Sequence, residues 1–207
     1  AWKAPQGKML LPYAIEISQN TTAAQLTKEI GPMTVYNFLT EKLHFEHLNP
    51  QEDSVAIGAM SIGGLNGGMT VKEMTAAYQI FGNGGLYYEP YTYYYVEDHD
   101  GNRILDNTNN VPTQALASDD ATVMNKLLHM PVYGSSGTAR DVAISGWDTF
   151  GKTGTTDSNC DAWFAGGTPY AVAAVWSGYR TPSALPSTSD PKRLWKAIMS
   201  RCLEDKD

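Results

Sequence analysis

The sequence predicts an α+β fold in which helices gather early and an antiparallel sheet, flanked by them, comes late. Three observations predict it. Apolar residues recur at helical spacing through most of residues 1–85. Three runs of aromatic, small and β-branched residues follow at about 147–155, 161–167 and 171–179, joined by turns too short for a crossover. No internal repeat or composition break divides the 207 residues, so helices and sheet are expected to share one domain.

The elements read in order as follows. Residues 10–17 have helical spacing, the polar run Ser18-Gln19-Asn20-Thr21-Thr22 interrupts them, and residues 23–30 resume before Gly31-Pro32 punctuates the chain. Val35, Phe38, Leu39 and Leu43 mark one face of another helix. His44 and His47 are read as its end, where the helix dipole favours imidazole, because no third ligand stands near enough for a metal site. Residues 44–60 read as loop, with Asn49-Pro50 as a turn. Thr70 and Glu73 form a capping box and Gly82-Asn83-Gly84-Gly85 a stop, which bounds a helix at about 71–81. Aromatic and β-branched residues on either side of Asp100-Gly101-Asn102 predict a hairpin. Ser118 can cap a helix carrying Val123, Met124, Leu127 and Leu128. A Pro/Ser-rich linker, TPSALPSTSDP, leads to a last helix with Leu194, Ala197 and Ile198 on one face.

Composition narrows the function. A hydrophobic content of 42% with 18% charged residues is that of a globular protein. A net charge of -7 with no Lys/Arg cluster argues against a nucleic-acid surface and against adhesion to an anionic membrane. No apolar run approaches the ~20 residues that span a bilayer. The start at Ala1-Trp2-Lys3 has no initiator Met and reads as a piece of something longer. Cys160 and Cys202 match no metal spacing and read as free thiols.

The chemistry is concentrated in FGKTGTTDSNCDAWFAG, residues 150–166. A purely structural strand would avoid Lys152 and the mid-strand Gly154. A strand that grips a carboxylate and lets its backbone approach a reacting carbonyl would use both. Flanked by Gly151, Thr155 and Thr156 and leading into DAWFAG, the Lys152-Thr153-Gly154 triplet resembles the end of a penicillin-binding protein transpeptidase domain. The match is most like the class A, bifunctional murein synthases. GGMTVKEMTAAYQIFGNGG resembles a segment of the same family, and the glycine-rich GSSGTAR sits where the family has a similar loop, though a plain connector is an equal reading of it. The resemblance covers roughly residues 10–200. It implies a β-lactamase/transpeptidase-like fold, incomplete at the N-terminus. Residues 1–85 would form a mainly helical part and 86–207 the hairpin, a helix, the sheet and the C-terminal helix.

The family uses S-x-x-K, S-x-N and K-T-G in that order. Ser18-Gln19-Asn20 supplies the second. For the first, only Ser189-Asp190-Pro191-Lys192 fits, and it follows K-T-G in a linker where Pro191 is expected to bar regular helix. Ser189 is therefore read as a decoy, and the nucleophile is expected upstream of Ala1. The resemblance implies a substrate peptide ending in D-Ala-D-Ala, with β-lactams as its mimics. Lys152 would supply positive potential, Thr153 and Thr155 would hydrogen-bond the substrate carboxylate, and Gly154 would leave the strand edge bare. Ser18 would relay a proton to the leaving group and Asn20 would hold the substrate amide. No cofactor or metal is implied, and the setting would be extracytoplasmic, anchored through a segment not in this chain. A D,D-carboxypeptidase, a serine β-lactamase and a non-catalytic binding module share these features. The missing upstream part would leave an unpaired strand edge, to be covered by that part or by a dimer partner.

Overall fold

The computed structural model describes residues 6–206, so the opening Ala1-Trp2-Lys3 lies outside the described residues. α1 (Leu11–Glu16) enters on Pro12, whose fixed φ suits a first helical turn. Ser18 then takes a left-handed conformation, φ 57°. That turn redirects the chain into α2 (Asn20–Ile30), which starts at Asn20 rather than at residue 23. Gly31 separates α2 from α3 (Pro32–Asn37), which runs on as a π-helical turn over Phe38–Lys42.

The stretch expected to be loop contributes to the core. Phe45 and Leu48 are buried with Leu43, Ala76, Ala77, Ile80 and Tyr87, and α4 (Ile57–Ile62) begins within it. The histidines interleaved with those residues do not close a helix. His44 lies beyond the last helical turn at φ 53° and bonds Glu89 at 2.8 Å. His47 bonds Glu73 at 3.1 Å, at the start of the next helix.

That helix, α5 (Val71–Tyr78), continues as a 3-10 turn through Phe81. Its capping box has both halves: Glu73 N donates to Thr70 Oγ1 at 3.1 Å, and Thr70 N donates to Glu73 Oε2 at 2.6 Å. Glu73 also accepts the Glu46 amide at 2.8 Å, so it fastens the preceding loop to the helix. Burial would raise its pKa, but the hydrogen bonds from Thr70, Glu46 and His47 outweigh burial and hold it at about 2.

β1 (Leu86–Tyr87) pairs with β4 (Thr113–Gln114) and β2 (Tyr95–Glu97) with β3 (Arg103–Asp106), the latter across a turn at Gly101. α6 (Ser118–Tyr133) is capped at Ala117 and makes no side-chain cap bond. Ser118 does not cap because the chain turns helical one residue earlier, placing Asp119 and Asp120 against the positive end of the dipole.

β5 (Phe150–Thr155), β6 (Asp161–Gly167) and β7 (Val172–Gly178) form an antiparallel meander in that order. The first begins at Phe150 rather than 147, because Trp147 is tied back to Ile144 in an isolated bridge. Gly151 lets β5 lie close to β6: a Cβ there would stand 2.5 Å from Phe164 Cζ. α6 packs along β5, α1 against α6, and both α5 and α7 against β6 and β7.

α7 (Asp190–Cys202) departs from expectation twice. Pro191 lies in its first turn, where a missing N–H costs nothing, so the helix runs unbroken through Lys192. Its buried stripe is Pro191, Trp195 and Met199, while Leu194 is 53% and Ile198 44% exposed. Trp195 is wholly buried, meets Phe164 edge-on at 4.9 Å and donates Nε1–H to Ala173 O at 3.0 Å. The larger ring with a hydrogen-bond partner takes the sheet side.

Glu73 gives the fold a pH signature. Its pKa is lowered from 4.5 to about 2, so its stabilisation is complete above the unfolded value and is lost as pH falls from 4.5 toward 2. Glu73→Ala should cost about 1–3 kcal/mol in urea unfolding at pH 7. The difference from the parent should shrink at pH 3, and a constant difference would count against this account.

Candidate functional site

The site is assembled from a turn near the start of the chain and a strand near its end. Ser18 is partly buried at the break between α1 and α2, and Asn20 opens α2. The left-handed backbone at Ser18 turns its side chain out of the helix line, where a β-branched residue would be strained. Lys152 lies in β5, and its Nζ donates to Ser18 Oγ at 2.7 Å and to Thr153 O at 2.9 Å. The two expected motifs therefore meet across 134 residues of sequence.

The pleat of β5 divides the work of its residues. Lys152 and Gly154 lie on one face and Thr153 and Thr155 on the other. Lys152 reaches the Ser18 turn. Thr153, from the opposite face, places its Oγ1 2.8 Å from Thr138 Oγ1. Gly154 stands across from Trp163, and a Cβ there would meet Trp163 Cβ at 3.3 Å. The glycine is thus also constrained from within the sheet. Thr155, at the exposed end of the strand, is opposite Ala162. Asp161 and Trp163 serve the sheet. Asp161 accepts from Trp176 Nε1 at 3.0 Å and pairs with Thr156, and Trp163 packs against Trp176 with ring centroids 6.3 Å apart.

Residue Thr138 was not singled out by sequence reasoning, which left residues 134–140 as either connector or site loop. The loop folds over the end of α6 and reaches Thr153. Glu16, two positions before Ser18 on α1, is also new: it is 4% exposed and accepts the Ser136 amide at 2.6 Å. A charged residue in an otherwise apolar helical stretch is the only sequence signal for it. Lys192, of Ser189-Asp190-Pro191-Lys192, has its amine on Asp141 at 2.8 Å and on Thr138 O at 3.3 Å. A cleft of about 700 Å³ is lined by Tyr133, Ile144, Trp147, Asp148 and Pro169 and contains none of the motif residues. Most of them are half-buried along the outer side of β5, with Thr155 exposed at its end, where an extended chain can be added as a strand.

A serine hydroxyl held on a lysine ammonium, beside a bare strand edge flanked by threonine hydroxyls, can bind an anion and move a proton. A double-mutant cycle over Ser18→Ala and Lys152→Met, read by chemical unfolding, should give a coupling of about 1–2 kcal/mol. Additive losses would show that the contact carries no energy.

The family model for the penicillin binding protein transpeptidase domain matches residues 1–198. The chain is 34% identical over 194 residues to penicillin-binding protein 1A of Clostridium acetobutylicum, covering 93% of this chain and 23% of that protein. It is 33% identical over 181 residues to penicillin-binding protein 1A of Aquifex aeolicus, covering 86% and 23%. The chain thus spans less than a quarter of either relative. Among solved structures, PonA1 of Mycobacterium tuberculosis in complex with penicillin V superposes with a TM-score of 0.77 at 21% identity. That match covers 99% of this chain and 59% of the other, and it shows a common fold.

Proposed function

The chain belongs to the penicillin-binding protein transpeptidase domain family, and from that premise we propose that it carries part of a D,D-transpeptidase site working by serine acyl transfer on peptides ending in D-Ala-D-Ala. The observation that supports this most is the 2.7 Å bond from Lys152 to Ser18, which joins S-x-N to K-T-G. The nucleophilic serine comes from a part of the protein outside this chain. The whole protein acts on peptidoglycan outside the cytoplasm, held at the membrane by a segment beyond this one.

In this reading the substrate lies along the open edge of β5. Its terminal carboxylate is held by the Thr153 and Thr155 hydroxyls in the positive field of Lys152, and Asn20 holds the peptide amide. The nucleophile's oxygen bonds to the carbonyl carbon of the penultimate D-Ala. The C–N bond to the terminal D-Ala breaks, and the leaving amine takes a proton by way of Ser18. The Lys152 ammonium donates to Ser18 Oγ, which leaves that hydroxyl's own proton free to be passed on. The Thr155 amide contributes an oxyanion donor, a group whose loss costs ~10²–10³ in rate. The acyl-enzyme is resolved when an acceptor amine attacks the ester, forming the cross-link amide and releasing the serine. A D,D-carboxypeptidase differs only in using water at that step. β-Lactams react at the same place because they present a carboxylate and a strained amide.

Intact mass after incubation with excess benzylpenicillin tests this. This chain alone should gain no adduct, whereas the full-length protein should gain one, on a serine preceding this sequence. An adduct on Ser189 or Ser18 would overturn the assignment.

The same reading accounts for the sheet's other edge. Among the described residues β7 has no partner beyond β6, and Trp176 on it is 40% exposed. The upstream half of the domain, or in its absence a second copy, covers that edge. Sedimentation of this chain alone should show self-association, and a stable monomer of 22.6 kDa would count against it.

A further inference from the structure

We propose that Glu16 is a positioning residue of the site, and this rests on the reading given under Proposed function. Through the loop of residues 134–138 it fixes Thr138 against Thr153, and so aims the Thr153 hydroxyl at the substrate carboxylate. Glu16 ends α1. Its carboxylate points into the loop 120 residues later, where Oε1 accepts the Ser136 amide at 2.6 Å. It also lies flat against Gly134: a Cβ on that glycine would stand 2.3 Å from Glu16 Cδ. Burying a carboxylate to 4% exposure is costly, and holding one exposed-loop amide is a poor return in stability alone. What the contact does hold is the placement of the loop.

The loop transmits that placement because it is stiff. Gly134 N donates to Met130 O and Ala139 N to Pro131 O, both at 2.9 Å, so it is folded onto the carbonyls that end α6. Gly137 has no room for a side chain, since a Cβ would meet Pro131 O at 2.3 Å. From the far side Lys192 Nζ holds Thr138 O at 3.3 Å and Asp141 at 2.8 Å. Clamped by Glu16 near its start and Lys192 near its end, the loop delivers Thr138 Oγ1 to within 2.8 Å of Thr153 Oγ1. A hydroxyl has one proton to give. With Thr138 donating to Thr153, the Thr153 proton is released toward an anion, and the two bonds reinforce each other. S-x-N and K-T-G are then tied twice, directly through Lys152 and Ser18 on one face of β5 and through Glu16, the loop and Thr138 on the other.

A substrate carboxylate is what this arrangement senses, so the test compares benzylpenicillin with its methyl ester on the full-length protein. Glu16→Ala should slow acylation by the acid ~10–100-fold and change the ester rate by less than about threefold, because misplacing a binding group by an ångström costs up to ~10². Thr138→Val should show the same acid-selective loss. Glu16→Gln, which keeps an acceptor for the Ser136 amide, should restore the acid rate. Equal losses for acid and ester, or none for either, would overturn the proposal, since a general loosening of the fold does not discriminate between them. If the parent protein is not acylated at all, the functional reading itself fails, and the positioning claim is decided by NMR of this chain. The Thr153 methyl shift should move in Glu16→Ala and return in Glu16→Gln, and a shift unmoved in both would overturn it.

Discussion

The bond between Lys152 Nζ and Ser18 Oγ forms only when the first helices are seated beside the open edge of β5. The seating is a relay: α1 packs on α6, and α6 packs along β5. Each member needs the next, because α1 at six residues is far too short to persist alone. The turn at Ser18 then has a fixed place to deliver its hydroxyl, and the lysine has an acceptor beyond the carbonyl of Thr153. A partly buried ammonium requires such partners, so the cation and the helical layer stabilise each other's positions.

β5 serves both sides of this arrangement because its side chains alternate. Lys152 turns to the helical layer and Thr153 to the loop that follows α6, while among the described residues β6 is the one strand paired with β5. Small residues make that close geometry possible, Gly151 under the Phe164 ring and Gly137 over the end of α6. The two outer edges of the sheet differ in kind. That of β5 is bordered by polar side chains suited to a transient added strand, whereas β7 carries an exposed Trp176.

Much of this was legible locally. The capping box at Thr70 and Glu73, the hairpin at Gly101 and the meander of three strands all rest on interactions within a few residues, so composition and spacing disclose them. That Ser18 and Lys152 belong to one site was implied only by resemblance to a family, and their direct bond was not anticipated, since no local pattern links positions so far apart. Expectations failed where two local readings were equally good. A helix with apolar residues on two stripes can bury either, and α7 buried Trp195 rather than Leu194 because the sheet offered Phe164 and the Ala173 carbonyl to it. Pro191 looked like a breaker and proved to be a helix start, since the two differ only in where the first turn begins.

The sequence by itself determined the helix-then-sheet order, the limits of α5 and of β5, β6 and β7 to within a few residues, and the motifs at Ser18 and Lys152, because these depend on periodicity and on residue type. Tertiary structure alone decided that Glu16 and Lys192 grip the same loop from opposite sides and that Thr138 faces Thr153. Those contacts join residues separated by tens to more than a hundred positions. Their strength comes from burial and exact placement, which no short window of sequence encodes.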